Sequence, residues 1–301
     1  MSIKKHIPNA ITCCNLLCGC LAIVQAFEGN LVWAAYLVGL AAIFDFFDGF
    51  AARLLRVTSP IGKDLDSLAD MVTFGVVPGI VMFQLISIGS VYLLDGSAGG
   101  WTIYPPLSAL PETVAMKPPF YVEYPKYIAF LIPVFSAIRL AKFNNDTRQT
   151  TSFIGLPTPA NAIFICSIPL IIGNYPLDFF KLLMTSPIKN GLSTYVSDIY
   201  IGSQQLSQPT AGDTAFMFLL NPYVLIGVSV VLSFLLVAEI PLFALKFKFF
   251  GWKGNRVRYV FLGLSLVLLI TLKFIGIPLI IILYVLMSFI TNAWLKRKTT
   301  S

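Results

Sequence analysis

The residues best suited to chemistry in this chain are aspartates grouped between positions 45 and 70. Only 14 of the 301 residues are Asp or Glu, and five of them lie in this stretch. Carboxylates near lipid are costly, so a cluster of them in an apolar chain indicates a function. Their oxygens suit hard divalent cations, and two such ions roughly 3.5 to 4 Å apart favour displacement at phosphorus. The pattern predicts a metal site for phosphoryl chemistry.

Helical spacing predicts which of these side chains meet. Residues at i, i+3, i+4 and i+7 share one face of a helix. One such stripe consists of Asp45, Asp48, Gly49 and Ala52. Asp66 and Asp70 form an i, i+4 pair at the start of the next apolar stretch. We therefore expect two antiparallel helices with all four carboxylates near one membrane boundary.

The residues around the aspartates leave room for a phosphate-bearing ligand. Gly49 and Ala52 have almost no side chain, and Arg53 offers a planar fork of donors. A connection from Leu54 to Leu65 is expected between the two helices, in which Gly62 permits a tight loop conformation. Close carboxylates oppose one another's ionisation at low dielectric, so cations are needed beside them.

Two other interpretations of the acidic cluster remain open. The aspartates could form interfacial salt bridges with Arg53, Arg56 and Lys63, although three basic side chains can pair with only some of the five carboxylates. They could also mark the ion pathway of a cation-coupled transporter. Against a pathway, the acids gather at one membrane face. Glu239, near the end of the apolar stretch from Tyr223 to Phe243, is the one acidic exception among the later apolar stretches.

Composition places these residues in a polytopic membrane protein. Hydrophobic residues make up 57% of the chain and charged residues 12%, against roughly a quarter charged in soluble domains. A spanning helix needs about 20 apolar residues. The sequence predicts an all-α fold of eight spans: Ala10 to Phe27, Leu31 to Leu54, Leu68 to Leu94, Tyr127 to Leu140, Pro157 to Ile172, Tyr223 to Phe243, Tyr259 to Phe274 and Ile277 to Trp294.

The distribution of basic residues predicts the orientation. With both termini cytoplasmic, 16 Lys and Arg residues lie inside and 5 outside, which satisfies the positive-inside rule. The net charge of +7 is then explained by basic residues that lie on the cytoplasmic side and are attracted to anionic lipid head groups. It does not favour a nucleic-acid partner. Residues 1–245 are expected to form a core, and residues 246–301 a C-terminal helix pair with a basic tail. The segments 95–126 and 173–213 are expected on the outer side.

Eight residues at fixed spacing resemble the signature of the CDP-alcohol phosphotransferase family. The pattern is D-x2-D-G-x2-A-R-x8-G-x3-D-x3-D, filled by Asp45, Asp48, Gly49, Ala52, Arg53, Gly62, Asp66 and Asp70. The resemblance implies a six-helix core, here followed by two extra helices, and a homodimer. It also implies divalent metal, with two Mg²⁺ or Mn²⁺ ions, held by Asp45, Asp48, Asp66 and Asp70.

Weaker motifs resemble the phosphatidylserine synthases within that family. They include Ile7 to Thr12, Leu68 to Pro78, Ala137 to Asn144 and Gly155 to Pro159. This resemblance implies transfer of the phosphatidyl group of CDP-diacylglycerol to L-serine, with release of CMP, at the cytoplasmic face of the cell membrane. The same chemistry with glycerol 3-phosphate, an inositol phosphate or choline remains the alternative.

The resemblance also implies roles for single residues. Asp70 is expected as general base, while Asp48, Gly49, Ala52, Arg53, Gly62 and Asp66 are expected around CDP-diacylglycerol. Serine carries a carboxylate that needs a cation, and Arg139 is the leading candidate, with Lys142 and Arg148 as competitors. Asn9 and Asn15 suit either a nucleotide contact or a bridge between helices.

Overall fold

A computed structural model of the protein describes residues 6–57, 60–94, 124–145, 153–174, 218–243, 251–252 and 255–299. Almost all of these residues are helical. The helices are α1 (His6–Phe27), α2 (Leu31–Leu55), α3 (Pro60–Asp70), α4 (Val77–Leu94), α5 (Leu131–Asn145), α6 (Thr158–Gly173), α7 (Pro222–Val237), α8 (Arg256–Leu272) and α9 (Gly276–Thr299). A π-helix (Met71–Val76) joins α3 to α4, and 3₁₀ turns (Pro125–Phe130 and Lys273–Ile275) precede α5 and α9. The predicted outer segments lie largely outside the described residues.

The prediction of an all-α polytopic membrane protein is confirmed. Among the described residues, five helical stretches are long and apolar enough to cross a membrane, the last being Arg256–Asn292. The helices Thr158–Gly173 and Pro222–Val237 are apolar but shorter. The number of spans and the side on which each end lies stay predictions.

The last apolar stretch is a hairpin of two helices. Lys273 follows α8 with a φ of 48°, and the ring centroids of Phe261 and Tyr284 lie 5.7 Å apart. A straight helix would separate these two residues by roughly 35 Å at 1.5 Å per residue. The chain therefore turns back after α8, at the point where the sequence predicted a division between the last two spans.

The connection between α2 and α3 is shorter than predicted. Arg56 ends α2 in the left-handed conformation with a φ of 52°, and its N–H donates to the carbonyls of Ala52 and Arg53. The next helix already begins at Pro60, a residue whose fixed φ suits the first helical turn. Gly62 therefore lies in the first turn of α3, and the expectation of a tight loop conformation there was wrong.

A continuous helix runs from α3 through the π-helix into α4, and it is packed closely against α1. Thr73 in the π-helix donates through Oγ1 to the carbonyl of Asn15 at 3.3 Å. A Cβ atom on Gly19 would lie only 3.2 Å from the Cα atom of Thr73. The absent side chain thus permits the approach of the two helices directly after Asp70, where a π-helix often accompanies a functional site.

The sixth predicted span ends earlier than the sequence indicated. Helix α7 stops at Val237, and the following residues are extended as far as Phe243. Within them β2 (Pro241–Leu242) pairs antiparallel with β1 (Phe153–Ile154). Proline disfavours helix in the residue before it, and apolar composition alone does not distinguish a helix from a buried extended segment. Glu239 consequently lies outside the helix, and it is exposed.

Two groups of buried apolar side chains hold the helices together. The larger group includes buried residues of α1, α2, α4, α6 and α7. The smaller group consists of Leu242, Phe261 and Tyr284, and it joins β2 to the α8–α9 hairpin. The hairpin is thereby fixed to the extended segment that follows α7.

Candidate active site

Three of the four motif aspartates converge where α2 and α3 meet. Asp45, Asp48 and Asp66 each place a carboxylate oxygen within 4.8 Å of the other two. Asp48 is buried, and Asp45 and Asp66 are half-buried. Asp70, one helical turn beyond Asp66, lies close enough to Asp45 to interact with it electrostatically. The predicted stripes on the two helices therefore face each other.

Helix α1 supplies hydrogen-bond donors to this cluster. Thr12 donates through Oγ1 to Asp48 Oδ2 at 2.7 Å, and the same hydroxyl lies 3.1 Å from the carbonyl of Pro8. Asn15 donates through Nδ2 to Asp70 Oδ1 at 3.3 Å. Each of these two aspartates is thus oriented by a side chain from a different helix.

The role of Thr12 was missed from the sequence, although a signal for it exists. The buried face of α1 includes Pro8, Thr12, Asn15 and Gly19, spaced by four, three and four residues. Such spacing marks one face of a helix, and polar side chains on the packed face of an apolar helix need partners. That polar stripe predicts contact with another polar element, which the structure identifies as the aspartates.

A cavity of about 540 Å³ opens beside the aspartates. Its lining includes Thr12, Asp48, Gly49, Ala52, Gly62 and Asp66. A Cβ atom on Gly49 would meet nothing within 4 Å, so the missing side chain widens the cavity. Asn9 and Lys63 also line the cavity, whereas Arg53 is exposed and is not among its lining residues. The volume lies within the usual range for a small-molecule site.

The nearby cations donate to backbone carbonyls. Arg53 donates through Nε to the carbonyl of Gly49 at 3.0 Å within its own helix. Lys63 donates through Nζ to the carbonyl of Asn144 at 2.9 Å, and the Asn144 amide donates to Ser67 Oγ at 2.8 Å. These contacts tie α3 to the end of α5, which places Arg139, one turn or more earlier on α5, on the same side of the molecule.

Arg139 points into the protein. It is 8% exposed, its Nη1 lies 3.5 Å from Thr158 Oγ1, and its guanidinium carbon lies 6.0 Å from the centroid of Phe143. Its charge also interacts with that of Asp70. A cation that merely anchored α5 at the membrane surface would extend outward, as the exposed Lys142 does. Arg148, the other predicted competitor, lies outside the described residues.

Several buried polar atoms around Arg139 have no hydrogen-bond partner among the residues that the structure describes. They are the Nε of Arg139, the Oγ of Ser136 one turn earlier on α5, both amide atoms of Asn161, and the Oδ1 of Asn15. Asn161 is fully buried and lies one turn beyond Thr158 on α6. Buried polar groups are normally paired, so unpaired ones next to a reactive cluster suit a polar ligand.

The donor set of the aspartates fits a divalent cation. Carboxylate oxygens from two helices lie close enough to share an ion, and like charges this close and this buried need a cation to remain ionised together. The cysteines, which would favour thiophilic metals, lie elsewhere, on α1 and α6. The structure therefore offers a site for a hard divalent metal.

Comparison with known proteins identifies a family and several relatives. The sequence profile of the CDP-alcohol phosphatidyltransferase family matches residues 5–105. The CDP-diacylglycerol–serine O-phosphatidyltransferase of Bacillus subtilis is 32% identical over 155 residues, which cover 52% of this chain and 70% of the relative. A protein of the same name from Helicobacter pylori strain J99 is 31% identical over 175 residues, covering 56% of this chain and 59% of the relative.

A more distant relative is matched over a longer stretch. The protein of the same name from Methanocaldococcus jannaschii is 27% identical over 226 residues, which cover 73% of this chain and 91% of the relative. By contrast, the chain spans only about three fifths of the Helicobacter relatives that it matches.

Proposed function

The chain belongs to the CDP-alcohol phosphatidyltransferase family, and from that premise we propose that it transfers the phosphatidyl group of CDP-diacylglycerol to L-serine, giving phosphatidylserine and CMP. The observation that carries the proposal is the convergence of Asp45, Asp48 and Asp66 within 4.8 Å beside an open cavity. The names of the matched relatives, each a serine O-phosphatidyltransferase, support serine as the acceptor.

The cavity beside α2 and α3 is the proposed site for the CDP end of the lipid substrate. Gly49 and Ala52 let the nucleotide lie against the backbone of α2, and Lys63 contributes a positive charge to the cavity wall. Gly62, in the first turn of α3, lines the cavity without adding a side chain to it. Arg53 is proposed to turn towards the pyrophosphate once a ligand is present.

The proposed site holds two divalent ions, Mg²⁺ or Mn²⁺. Their proposed ligands are the carboxylates of Asp45, Asp48, Asp66 and Asp70. Such ions, when bound, neutralise charge that develops on phosphate oxygens. The protein's part is to hold the carboxylates in register: Thr12 fixes Asp48, and Asn15 fixes Asp70. Asn15 thereby keeps one carboxylate oxygen of Asp70 occupied and leaves the other for proton transfer.

Asp70 is the proposed general base. The serine hydroxyl oxygen attacks the β-phosphorus, the bond from that phosphorus to the bridging oxygen breaks, and CMP leaves with the bridging oxygen. Asp70 accepts the proton of the hydroxyl. A carboxylate positioned for this transfer typically contributes about 10²- to 10⁴-fold.

Arg139 is the proposed partner of the serine carboxylate. It is buried, it lies near Asp70, and its guanidinium retains an unpaired Nε among the described residues. The Oδ1 atoms of Asn15 and Asn161 are acceptors suited to the serine ammonium group. A phosphorylated acceptor would need more positive charge than this pocket supplies, which favours serine over glycerol 3-phosphate.

We also propose where the active site lies in the membrane and that the protein forms a homodimer. Lipid-linked substrate reaches the cavity from the inner leaflet of the cell membrane, and the site faces the cytoplasm, as the distribution of Lys and Arg predicts. The protein is proposed to act as a homodimer, as the family resemblance implies. Labelling of cysteines introduced at either end in intact cells tests the orientation, and native mass spectrometry tests the dimer.

The decisive experiment is turnover by the purified full-length protein in lipid nanodiscs. It is supplied with CDP-diacylglycerol, Mg²⁺ or Mn²⁺ and one alcohol at a time: serine, glycerol 3-phosphate, an inositol phosphate or choline. We expect CMP release that depends on both metal and serine. If CMP is released only with another alcohol, that alcohol is the acceptor and serine is not. If CMP is released with none of them, the proposed enzymatic activity is refuted.

A further inference from the structure

The α8–α9 hairpin, which lies outside the motif-bearing helices, holds the extended segment after α7. Tyr284 on α9 donates through its hydroxyl to the carbonyl of Phe243 at 3.0 Å. The N–H of Phe243 lies 3.4 Å from Ser288 Oγ, and Asn292 donates to the carbonyl of Pro241. Three residues one turn apart on α9 thus bind the backbone of this segment.

Aromatic packing strengthens the same attachment. The ring centroid of Phe243 lies 5.0 Å from that of Tyr284 and 5.7 Å from that of Phe261, in edge-to-face arrangements. Both Tyr284 and Phe261 are buried, as is the neighbouring Leu242. The segment is held by backbone hydrogen bonds and by a small apolar core of its own.

The held segment in turn fixes the chain that leads into α6. Strand β2 pairs with β1, with Leu242 opposite Phe153 and Pro241 opposite Ile154. Beyond β1, the Gly155 N–H donates to the carbonyl of Ile240 at 3.0 Å. The sheet therefore continues as backbone pairing up to the turn before α6.

That turn has little freedom to move. Gly155 has a φ of +75°, and a Cβ atom there would lie 2.6 Å from the carbonyl oxygen of Leu236. Leu156 donates to the carbonyl of Leu235 at 2.9 Å, and Pro157 precedes α6. The next residue is Thr158, whose hydroxyl contacts Arg139.

We propose that the α8–α9 hairpin fixes the position of the acceptor half of the site. The acceptor half is defined as Arg139, Thr158 and Asn161. Tyr284 and Asn292 hold β2, β2 holds β1 and its turn, and the turn presents Thr158 to Arg139. Ser288 and Asn292 are positioning residues, since they act through the backbone of the extended segment and of β1, whereas Tyr284 also interacts electrostatically with Arg139 itself. The inference rests on the proposed function, because it assigns the residues of the acceptor half to the alcohol acceptor.

The test is a double variant, Ser288→Ala with Asn292→Leu, in the full-length protein in nanodiscs. This variant leaves Tyr284 and its interaction with Arg139 in place. Ser288→Ala removes one small atom and Asn292→Leu keeps the branched side-chain shape, and each removes a hydrogen bond to the backbone of the extended segment that contains β2. Thr291→Val is the matched control, because Thr291 donates only within α9, to the carbonyl of Met287. Hydrogen exchange is followed in peptides covering residues 153–158, and KM is measured separately for serine and for CDP-diacylglycerol.

We expect exchange at Gly155 and Leu156 to rise about tenfold in the double variant, since lost hydrogen bonds favour local opening. The KM for serine should rise about three- to tenfold while that for CDP-diacylglycerol stays unchanged. The Thr291→Val control should match the original protein in all three measurements.

Unchanged hydrogen exchange in the double variant would overturn the proposal that the hairpin fixes this turn. Equal changes in both KM values, or the same changes in Thr291→Val, would overturn the positioning role in favour of a general loss of stability. If the original protein releases no CMP with any alcohol, the proposed function fails, whereas the exchange measurement still upholds or overturns the attachment of the turn to α9.

Discussion

The acidic half of the site, made by the four motif aspartates with Thr12 and Asn15, differs from the acceptor half in how it is assembled. The acidic half comes from neighbouring helices at the start of the chain, and it borders an open cavity. The acceptor half joins α5 to α6, and its polar groups are buried. The first can admit a large lipid-linked nucleotide, while the second suits a small polar molecule.

The two halves also differ in how their polar atoms are satisfied. Asp48 and Asp70 already accept hydrogen bonds from α1. The side-chain amide of Asn161 and the Nε of Arg139 have no hydrogen-bond partner among the described residues. A carboxylate fixed in advance suits metal binding, which tolerates little misplacement, whereas unpaired donors and acceptors discriminate strongly between ligands that satisfy them and ligands that do not.

The largest effect is expected from Asp48→Asn in the acidic half. Removing one carboxylate from the shared set weakens metal binding, and the loss of several kcal/mol of charge stabilisation corresponds to about 10³-fold in turnover. CMP release and Mn²⁺ binding, the latter by electron paramagnetic resonance, should fall together.

Asp64→Asn is the matched control for that variant. Asp64 belongs to the same acidic stretch and is exposed. It should retain turnover and Mn²⁺ binding. Equal losses in both variants would mean that the net charge of the segment matters and the assembled cluster does not.

A smaller loss is expected from Asp70→Asn, which separates two roles within the acidic half. The amide still fills the space and still meets Asn15, but it cannot accept a proton. Turnover should fall about 10²-fold, while most of the Mn²⁺ binding, which rests on Asp45, Asp48 and Asp66, persists. Full turnover in this variant would remove Asp70 as general base, and lost Mn²⁺ binding would make it chiefly a metal ligand.

The contrast between the halves explains what the sequence could reveal. Asp45, Asp48, Asp66 and Asp70 follow helical spacing within a short stretch, so their convergence could be predicted from periodicity. The acceptor half depends on contacts between distant segments. Nothing local in the sequence places Thr158 beside Arg139.

The errors in the fold have a similar origin. Helix α7 ends at Val237 because the following residues pair with β1, and that pairing cannot be read from their apolar character. Gly62 lies in a helix because Pro60 begins α3, a signal that the glycine obscured. The contact of Tyr284 with Phe243 joins two predicted spans whose faces periodicity alone left undefined.

Arg139→Lys should affect the acceptor half alone. Lysine keeps the charge but loses the fork that binds a carboxylate with two hydrogen bonds. The KM for serine should rise about tenfold, while the KM for CDP-diacylglycerol and Mn²⁺ binding stay unchanged. Lys142→Arg is the control on the same helix, at an exposed position. An equal rise in the control would exclude Arg139 as the specific partner of serine.

The smallest effect is expected from Thr12→Val, which removes the hydroxyl that orients Asp48 and nearly preserves side-chain shape. Because the carboxylate itself remains, only its orientation is loosened, and the loss of one hydrogen bond corresponds to about three- to tenfold in turnover. The apparent affinity for Mn²⁺ should weaken by a similar factor, and the KM for serine should not change. Thr12→Ser keeps the hydroxyl and should restore both values. A changed KM for serine in Thr12→Val would mean that Thr12, in addition to Asn15 on the same helix, acts on the acceptor half, and the two halves would then not be separable through α1.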